Sequence, residues 1–96
     1  MPNIKSAAKR MRQNEKRRLR NRWFRGRART FSKKALKAME AGDVEAARAY
    51  VQQAIKALDK AAEKGILHKN NVARRKSRLM KRLHALEAQA AQGEGA

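Results

Sequence analysis

Apolar residues recur every three or four positions in three stretches of the chain. In the middle stretch Val44, Ala47, Val51, Ala54, Ile55, Leu58 and Ala61 fall on one side at about 100° per residue, the mark of a helix packed along one face. Val72, Leu79, Leu83, Leu86 and Ala90 repeat the pattern in the third stretch, and Phe24, Ala28, Phe31, Ala35, Ala38 and Met39 do so in the first. Between the stripes stand mostly Ala, Leu, Arg, Lys, Glu and Gln, all good helix formers.

Helix breakers divide these stretches. Gly42 followed by Asp43 reads as a stop and a start: Gly takes the left-handed position past a helix end, and an Asp carboxylate accepts the free N–H groups of the next helix. Gly65 ends the second helix in the same way, and the third starts after either His68 or Asn70. The helices are expected at about residues 6–41, 44–64 and 69–90, with residues 1–91 as a single helical domain and residues 92–96 as a disordered tail. Connections of roughly two to six residues force antiparallel neighbours. Gly26, inside the first helix, costs about 1 kcal/mol against Ala and marks a candidate kink.

The first stripe begins only at Phe24. From Lys5 to Arg22 the apolar residues are Ala7, Ala8, Met11 and Leu19, too scattered to define a buried face. A helix over residues 6–41 is about 54 Å long, whereas the second segment spans about 32 Å. The expected fold is therefore all-α: a three-helix antiparallel bundle with a long basic N-terminal helix overhanging the bundle by roughly 20 Å.

Charge changes the picture from scaffold to function. The chain carries 26 Lys and Arg against 8 Asp and Glu, a net charge of +18 that repels itself unless a polyanion is present. Residues 1–34 hold 14 of the bases and one acid, Glu15, residues 35–67 hold five of each, and residues 68–96 hold seven bases against two acids. Lys5, Lys9, Arg10, Arg12, Lys16, Arg17, Arg18, Arg20 and Arg22 point in nearly every direction around a helix. A membrane-surface helix would gather its charges on one face and bury apolar groups on the other. This helix suits insertion among phosphates, since merely solvated surfaces mix both signs. Arg predominates from Arg17 through Arg25, Arg27 and Arg29, and Arg grips phosphate through two parallel hydrogen bonds. In the third helix Arg74, Arg78 and Lys81 lie opposite the apolar stripe with Arg75 and Arg82 on one flank, a second, one-sided basic surface; Lys76 falls near the stripe and snorkels past it.

Little else carries chemistry. Zero Cys excludes disulfides and thiolate metal sites, and His68 and His84 lack partners at metal-ligand spacing, so neither metal nor cofactor is expected. Thr30, Ser32 and Ser77 have no nearby His as base, and no Gly-rich loop cradles a nucleotide. Asp59 and Glu63 interleave with Lys56, Lys60 and Lys64, which reads as a lattice of ion pairs along one helix rather than a carboxylate pair. Trp23 shares a side with Leu19, away from the packing stripe, and is expected to cover an end of the bundle in preference to stacking on a base. No apolar run approaches the roughly 18 residues of a membrane span, and the N-terminus, with a single Ser before Ser32, lacks the pattern of a signal or transit peptide. An enzyme is not expected.

A basic helix leading into an apolar stripe also suggests a leucine-zipper DNA-binding protein, but Gly42 stops the seam before the three or four heptads that fold needs. A DNA-binding or nucleoid-type basic helical protein remains the alternative, and an adaptor for an acidic protein or membrane surface is a further one. Three runs discriminate: NIKSAAKRMRQNEKRRLRNR over Asn3 to Arg22, RTFSKKALKAMEAGD over Arg29 to Asp43, and KGILHKNNVARRKSRL over Lys64 to Leu79. In this order and spacing they resemble the bacterial small ribosomal subunit protein twenty family, from about Pro2 to Leu86.

The resemblance implies a monomeric structural protein of the cytoplasmic ribosome, bound directly to 16S ribosomal RNA and joining the 5′ domain to the long 3′ minor helix. It maps one RNA contact onto residues 5–34, adding Lys33 and Lys34 to the cations named above, and a second onto residues 68–82, adding His68, Lys69 and Asn70. No small-molecule substrate and no membrane partner are implied. With no apolar face to support it against its own charge, the segment from Lys5 to Arg22 is expected to be largely unfolded before RNA binds.

Overall fold

Two turns of the same construction divide the chain into α1 (Asn3–Glu40), α2 (Val44–Glu63) and α3 (Lys69–Glu94). The computed structural model describes the backbone of residues 3–94 and the side chains of residues 6–92, so the side chain of Lys5 lies outside the described residues. At the end of α1 the Gly42 N–H donates to the Met39 carbonyl at 3.1 Å and the Asp43 N–H to the Ala38 carbonyl at 3.0 Å. At the end of α2 Gly65 donates to Ala62 at 3.0 Å and Ile66 to Ala61 at 2.9 Å. This double closure satisfies helix-end carbonyls and requires a left-handed residue, which Gly42 and Gly65 supply at φ 74° and 72°. Asp43 closes α1 and opens α2, its carboxylate accepting from the Ala46 N–H at 3.1 Å. Of the two expected starts for α3, His68 is the one used. Its Nδ1 accepts from the Asn70 N–H and its carbonyl from the Val72 N–H, both at 3.1 Å.

Two helix ends depart from expectation by several residues. α3 continues past Ala90 to Glu94, into the segment expected to be disordered, because Gln89, Ala90, Ala91 and Gln92 all favour helix and nothing before Gly93 interrupts it. α1 starts at Asn3 and runs uninterrupted through Gly26, where no neighbour demands a missing side chain.

α1 and α2 are antiparallel and form the most intimate pair. Ala28, Ala35 and Ala38 of α1 and Ala47, Ala54 and Ala61 of α2 are buried together with Val51 and Leu58, so small side chains let the two helices approach closely. α3 closes over α2 with Val72, Leu79 and Leu83. Two ion pairs register it: Lys76 Nζ to Asp59 Oδ1 at 2.9 Å and Arg48 Nε to Glu87 Oε1 at 3.0 Å. The carboxylate of Asp59 is thus drawn across to α3 rather than into the lattice expected along α2, because Lys76, at the edge of the apolar stripe, brings its ammonium over the helix boundary. The core follows the sequence stripes, with two additions. Ala57 is buried, and so is Ile66, whose place just after the left-handed Gly65 folds its side chain back onto the bundle.

Because α1 and α3 both run against α2, they run parallel to each other. α3 begins beside the middle of α1 and continues beyond its C-terminal end, giving dimensions of 78 × 22 × 14 Å and a radius of gyration of 19.0 Å. A compact chain of this length has about 12 Å. The difference comes from both ends: from Lys9 to Arg20 every described residue of α1 is exposed, and α3 projects past the other end of α1.

The turn geometry and the continuous helix give opposite signs for one kind of substitution. Gly65→Ala destabilises the free protein by about 1 to 2 kcal/mol, since a Cβ at positive φ is strained, whereas Gly26→Ala stabilises it by up to about 1 kcal/mol. Equilibrium urea unfolding reads both, and a destabilised Gly26→Ala variant would show that α1 needs its glycine.

Candidate nucleic-acid interface

The overhang presents charge without compensation. Lys9, Arg10, Arg12, Lys16, Arg17, Arg18, Arg20 and Arg22 are all exposed and distributed around α1, with Glu15 the one acid among them. Among the described residues the ion pairs are the two between α2 and α3, so none of these cations is neutralised. Successive cations lie within one or two helical turns of each other, closer than a Debye length of about 10 Å at 0.1 M salt. Such a surface concentrates anions and raises the cost of its own helix.

One direction along α1 has further structure. Asn14, Arg18, Arg22, Arg25 and Arg29 follow at helical spacing and line a shallow trough together with Arg17 and Asn21. The trough runs into the groove between α1 and α3. Arg29 and Lys33 wall this groove on the α1 side, Arg75, Arg78 and Arg82 on the α3 side, and Leu36 and Leu79 lie between them with Ser32. Arg25 stands at the junction beside Leu67 and Arg75, where its Nη2 donates to the Ile66 carbonyl at 3.3 Å. It therefore ties the α2/α3 turn to α1 while its other guanidinium donors stay available.

The expected site residues are thus only partly brought together. Arg75 and Arg78 join Arg25, Arg29 and Lys33 in the groove, whereas Arg74 and Lys81 are exposed outside it. His68, Lys69 and Asn70 are exposed at the start of α3, with the His68 Nδ1 committed to its cap. Arg27 and Lys34 turn towards α2: the guanidinium of Arg27 lies 5.4 Å from the Trp23 ring and 5.3 Å from Phe31, and the Lys34 ammonium lies 5.7 Å from Phe31 and 5.9 Å from Tyr50. Asn14 and Asn21 were not expected among the site residues, and Arg82 was expected only as a flank of the second basic surface. The signal for the two asparagines was their helical spacing from Arg18, and for Arg82 its place one turn after Arg78.

Trp23 does not cover the bundle. It is 57 % exposed, held edge-on to Phe24 at 4.8 Å, because the α2 residues opposite it are Gln53, Lys56 and Lys60, too polar to bury an indole. Among the described residues no cluster of three or more His, Cys, Asp or Glu is placed to hold a metal ion, and no helix is long and apolar enough to cross a membrane.

Comparison with known proteins agrees with this geometry. A model of the family described as Ribosomal protein S20 matches residues 2–84. The chain belongs to the ribosomal protein S20 family. It is 62% identical over 95 residues to the small ribosomal subunit protein bS20 of Thermomicrobium roseum, covering 98% of this chain and 96% of that one. The proteins of the same name from Legionella pneumophila (strain Corby) and Cutibacterium acnes are 54% and 50% identical over 88 residues, in each case 92% of this chain and all of theirs. Membership in the S20 family makes the chain a structural component of the ribosome and not an enzyme. The family match spans the overhang, both turns and the groove residues of α3, and ends within the last turns of that helix.

The unneutralised overhang of this S20-family chain is expected to respond to salt alone. Raising salt from about 0.01 to about 0.1 M shortens the Debye length from about 30 to about 10 Å and screens neighbouring cations from each other. Far-ultraviolet circular dichroism of the free protein should show helicity rising across that range; constant helicity would mean that repulsion does not limit α1.

Proposed function

We propose that the chain binds 16S ribosomal RNA directly in the cytoplasmic small ribosomal subunit, as a monomer that brings RNA segments together by neutralising their phosphates. The relatives named above are small ribosomal subunit proteins, which favours ribosomal RNA over DNA as the polyanion. The observation that carries the proposal is the passage of an acid-poor helix, charged on every side, into a groove walled by cations of two helices.

The two parts do different work. The overhang, with Lys5, Lys9, Arg10, Arg12, Lys16, Arg17, Arg18, Arg20 and Arg22, lies among phosphates of more than one RNA segment, because a helix charged all round has no preferred side to turn to solvent. The groove takes one sugar–phosphate strand, with Arg29 and Lys33 on one wall, Arg75 and Arg78 on the other, and the sugars over Leu36 and Leu79. Arg27 and Lys34 contribute from the opposite side of α1, and His68, Lys69, Asn70, Arg74 and Lys81 extend the second contact along α3. Together they span two RNA regions, in keeping with the resemblance to proteins that join the 5′ domain to the 3′ minor helix. The bound RNA offsets the repulsion within α1, so binding and folding of the overhang are one process.

Affinity should come mainly from counterion release. If about eight phosphates are neutralised, log K against log salt for 16S RNA falls with a slope near −6. Replacing Arg75, Arg78 and Arg82 together by Ala should reduce the magnitude of that slope by about 2, whereas Arg48→Ala should leave it unchanged. Filter binding over a salt series measures all three; a slope shallower than about −2 for the unaltered protein, or equal affinity for duplex DNA, would overturn the proposal.

A further inference from the structure

The groove and overhang leave one exposed feature unused. Trp23 is the single Trp of the chain, and more than half of its surface is open to solvent. It lies between two shallow hollows. Leu19, Arg22, Gly26, Thr30 and Phe31 line one of them with it, and Phe24, Gln53, Lys56, Ala57 and Lys60 line the other; Arg27 borders both. No carboxylate lines either hollow.

An exposed indole keeps a large apolar surface in water, and covering it with a ligand is favourable. The ring is also held in place. Phe24 meets it at an interplanar angle of 83° and the Arg27 guanidinium lies beside it at 5.4 Å. These contacts restrict the ring before anything binds, and a partly preorganised aromatic ring suits a flat ligand. The surrounding charge then selects the ligand. Arg22, Arg27, Lys56 and Lys60 make the rim wholly cationic, which favours an anion that also carries a flat aromatic group. A nucleotide is both: its base stacks on the indole and its phosphates meet the lysines across the helix boundary. In an RNA helix the base faces are occupied by their neighbours, so the fit is to an unpaired nucleotide.

We infer that Trp23 is a stacking platform for one unpaired nucleotide of RNA, with Lys56 and Lys60 of α2 binding its flanking phosphates. This is a third contact, on the side of α1 away from the groove, and it gives the otherwise charge-balanced α2 a part in RNA recognition. The inference rests on the reading that the chain binds 16S ribosomal RNA. It goes beyond phosphate neutralisation, because stacking distinguishes unpaired from paired RNA.

The single Trp makes the test direct, since all indole fluorescence of the protein is that of Trp23. Saturating the full-length protein with 16S RNA should quench the fluorescence, and a perfectly paired RNA duplex bound to the same extent should not. Trp23→Ala should weaken 16S binding by roughly tenfold with an unchanged salt slope, and Trp23→Phe by less than about threefold, because a phenyl ring still stacks. A double Lys56→Ala, Lys60→Ala variant should reduce both the quenching and the magnitude of the salt slope. Tight, salt-dependent binding with equal quenching by duplex, or with full affinity in Trp23→Ala, would overturn the platform and leave the 16S reading standing. Absence of binding to 16S RNA would overturn both.

Discussion

Fourteen cations and one carboxylate share the first 34 residues, and their mutual repulsion is the constraint around which the molecule is arranged. A helix with charge on every side has no face to bury, so it cannot belong to a core along its whole length. The apolar stripe begins at Phe24, the buried core begins one turn later at Ala28, and the preceding turns project from the bundle. That division, together with the run of α3 past the C-terminal end of α1, gives a 96-residue chain its 78 Å length. A polyanion in the surroundings removes the repulsion, which is why the shape makes sense for a ribosomal component.

α2 makes this arrangement affordable. It is the one helix in which acids and bases nearly balance, and its buried alanines let α1 settle closely against it. Val72, Leu79 and Leu83 hold α3 against α2, the exposed ion pairs of Asp59 and Arg48 add to its register, and the turn at Gly65 and Ile66 sets α3 parallel to α1. Parallel placement brings two rows of cations face to face. Opposed in this way they would push α1 and α3 apart, and the two helices touch each other least of any pair. Arg25, bonded to the Ile66 carbonyl, is the polar tie across that weak boundary. The cations of the two walls repel each other, and an anion in the groove would offset that repulsion.

Much of this was legible in the sequence because helical periodicity is a strong signal. The three stripes, the Gly42–Asp43 turn and the overhang can all be read from residue spacing, and the family resemblance rested on runs that the later match to residues 2–84 covers. What could not be read depended on how one helix lies against another. The burial of Ile66 follows from a backbone turn that directs a connecting residue inward. Asp59 has lysines within reach on its own helix, and its choice of Lys76 is a matter of interhelical distance. Arg75 and Arg74 are adjacent and chemically identical, yet only the former faces α1. The exposure of Trp23 depends on what stands across from it on α2, and lysines stand there. The extension of α3 to Glu94 has no sequence signal of its own, because a polar helix end without an apolar stripe has the composition of a tail.

If RNA supplies the counter-charge that holds the overhang as a helix, the backbone amides of residues 9–22 should report it individually. Hydrogen exchange of these amides, compared between the free protein and its 16S RNA complex, is the most direct measurement. The expected result is near-random-coil exchange in the free protein and protection rising by about a hundredfold or more in the complex, while amides around Leu58 are protected in both. Amides of residues 9–22 that are already protected without RNA, or that stay unprotected in the complex, would contradict the central role given to charge on this helix.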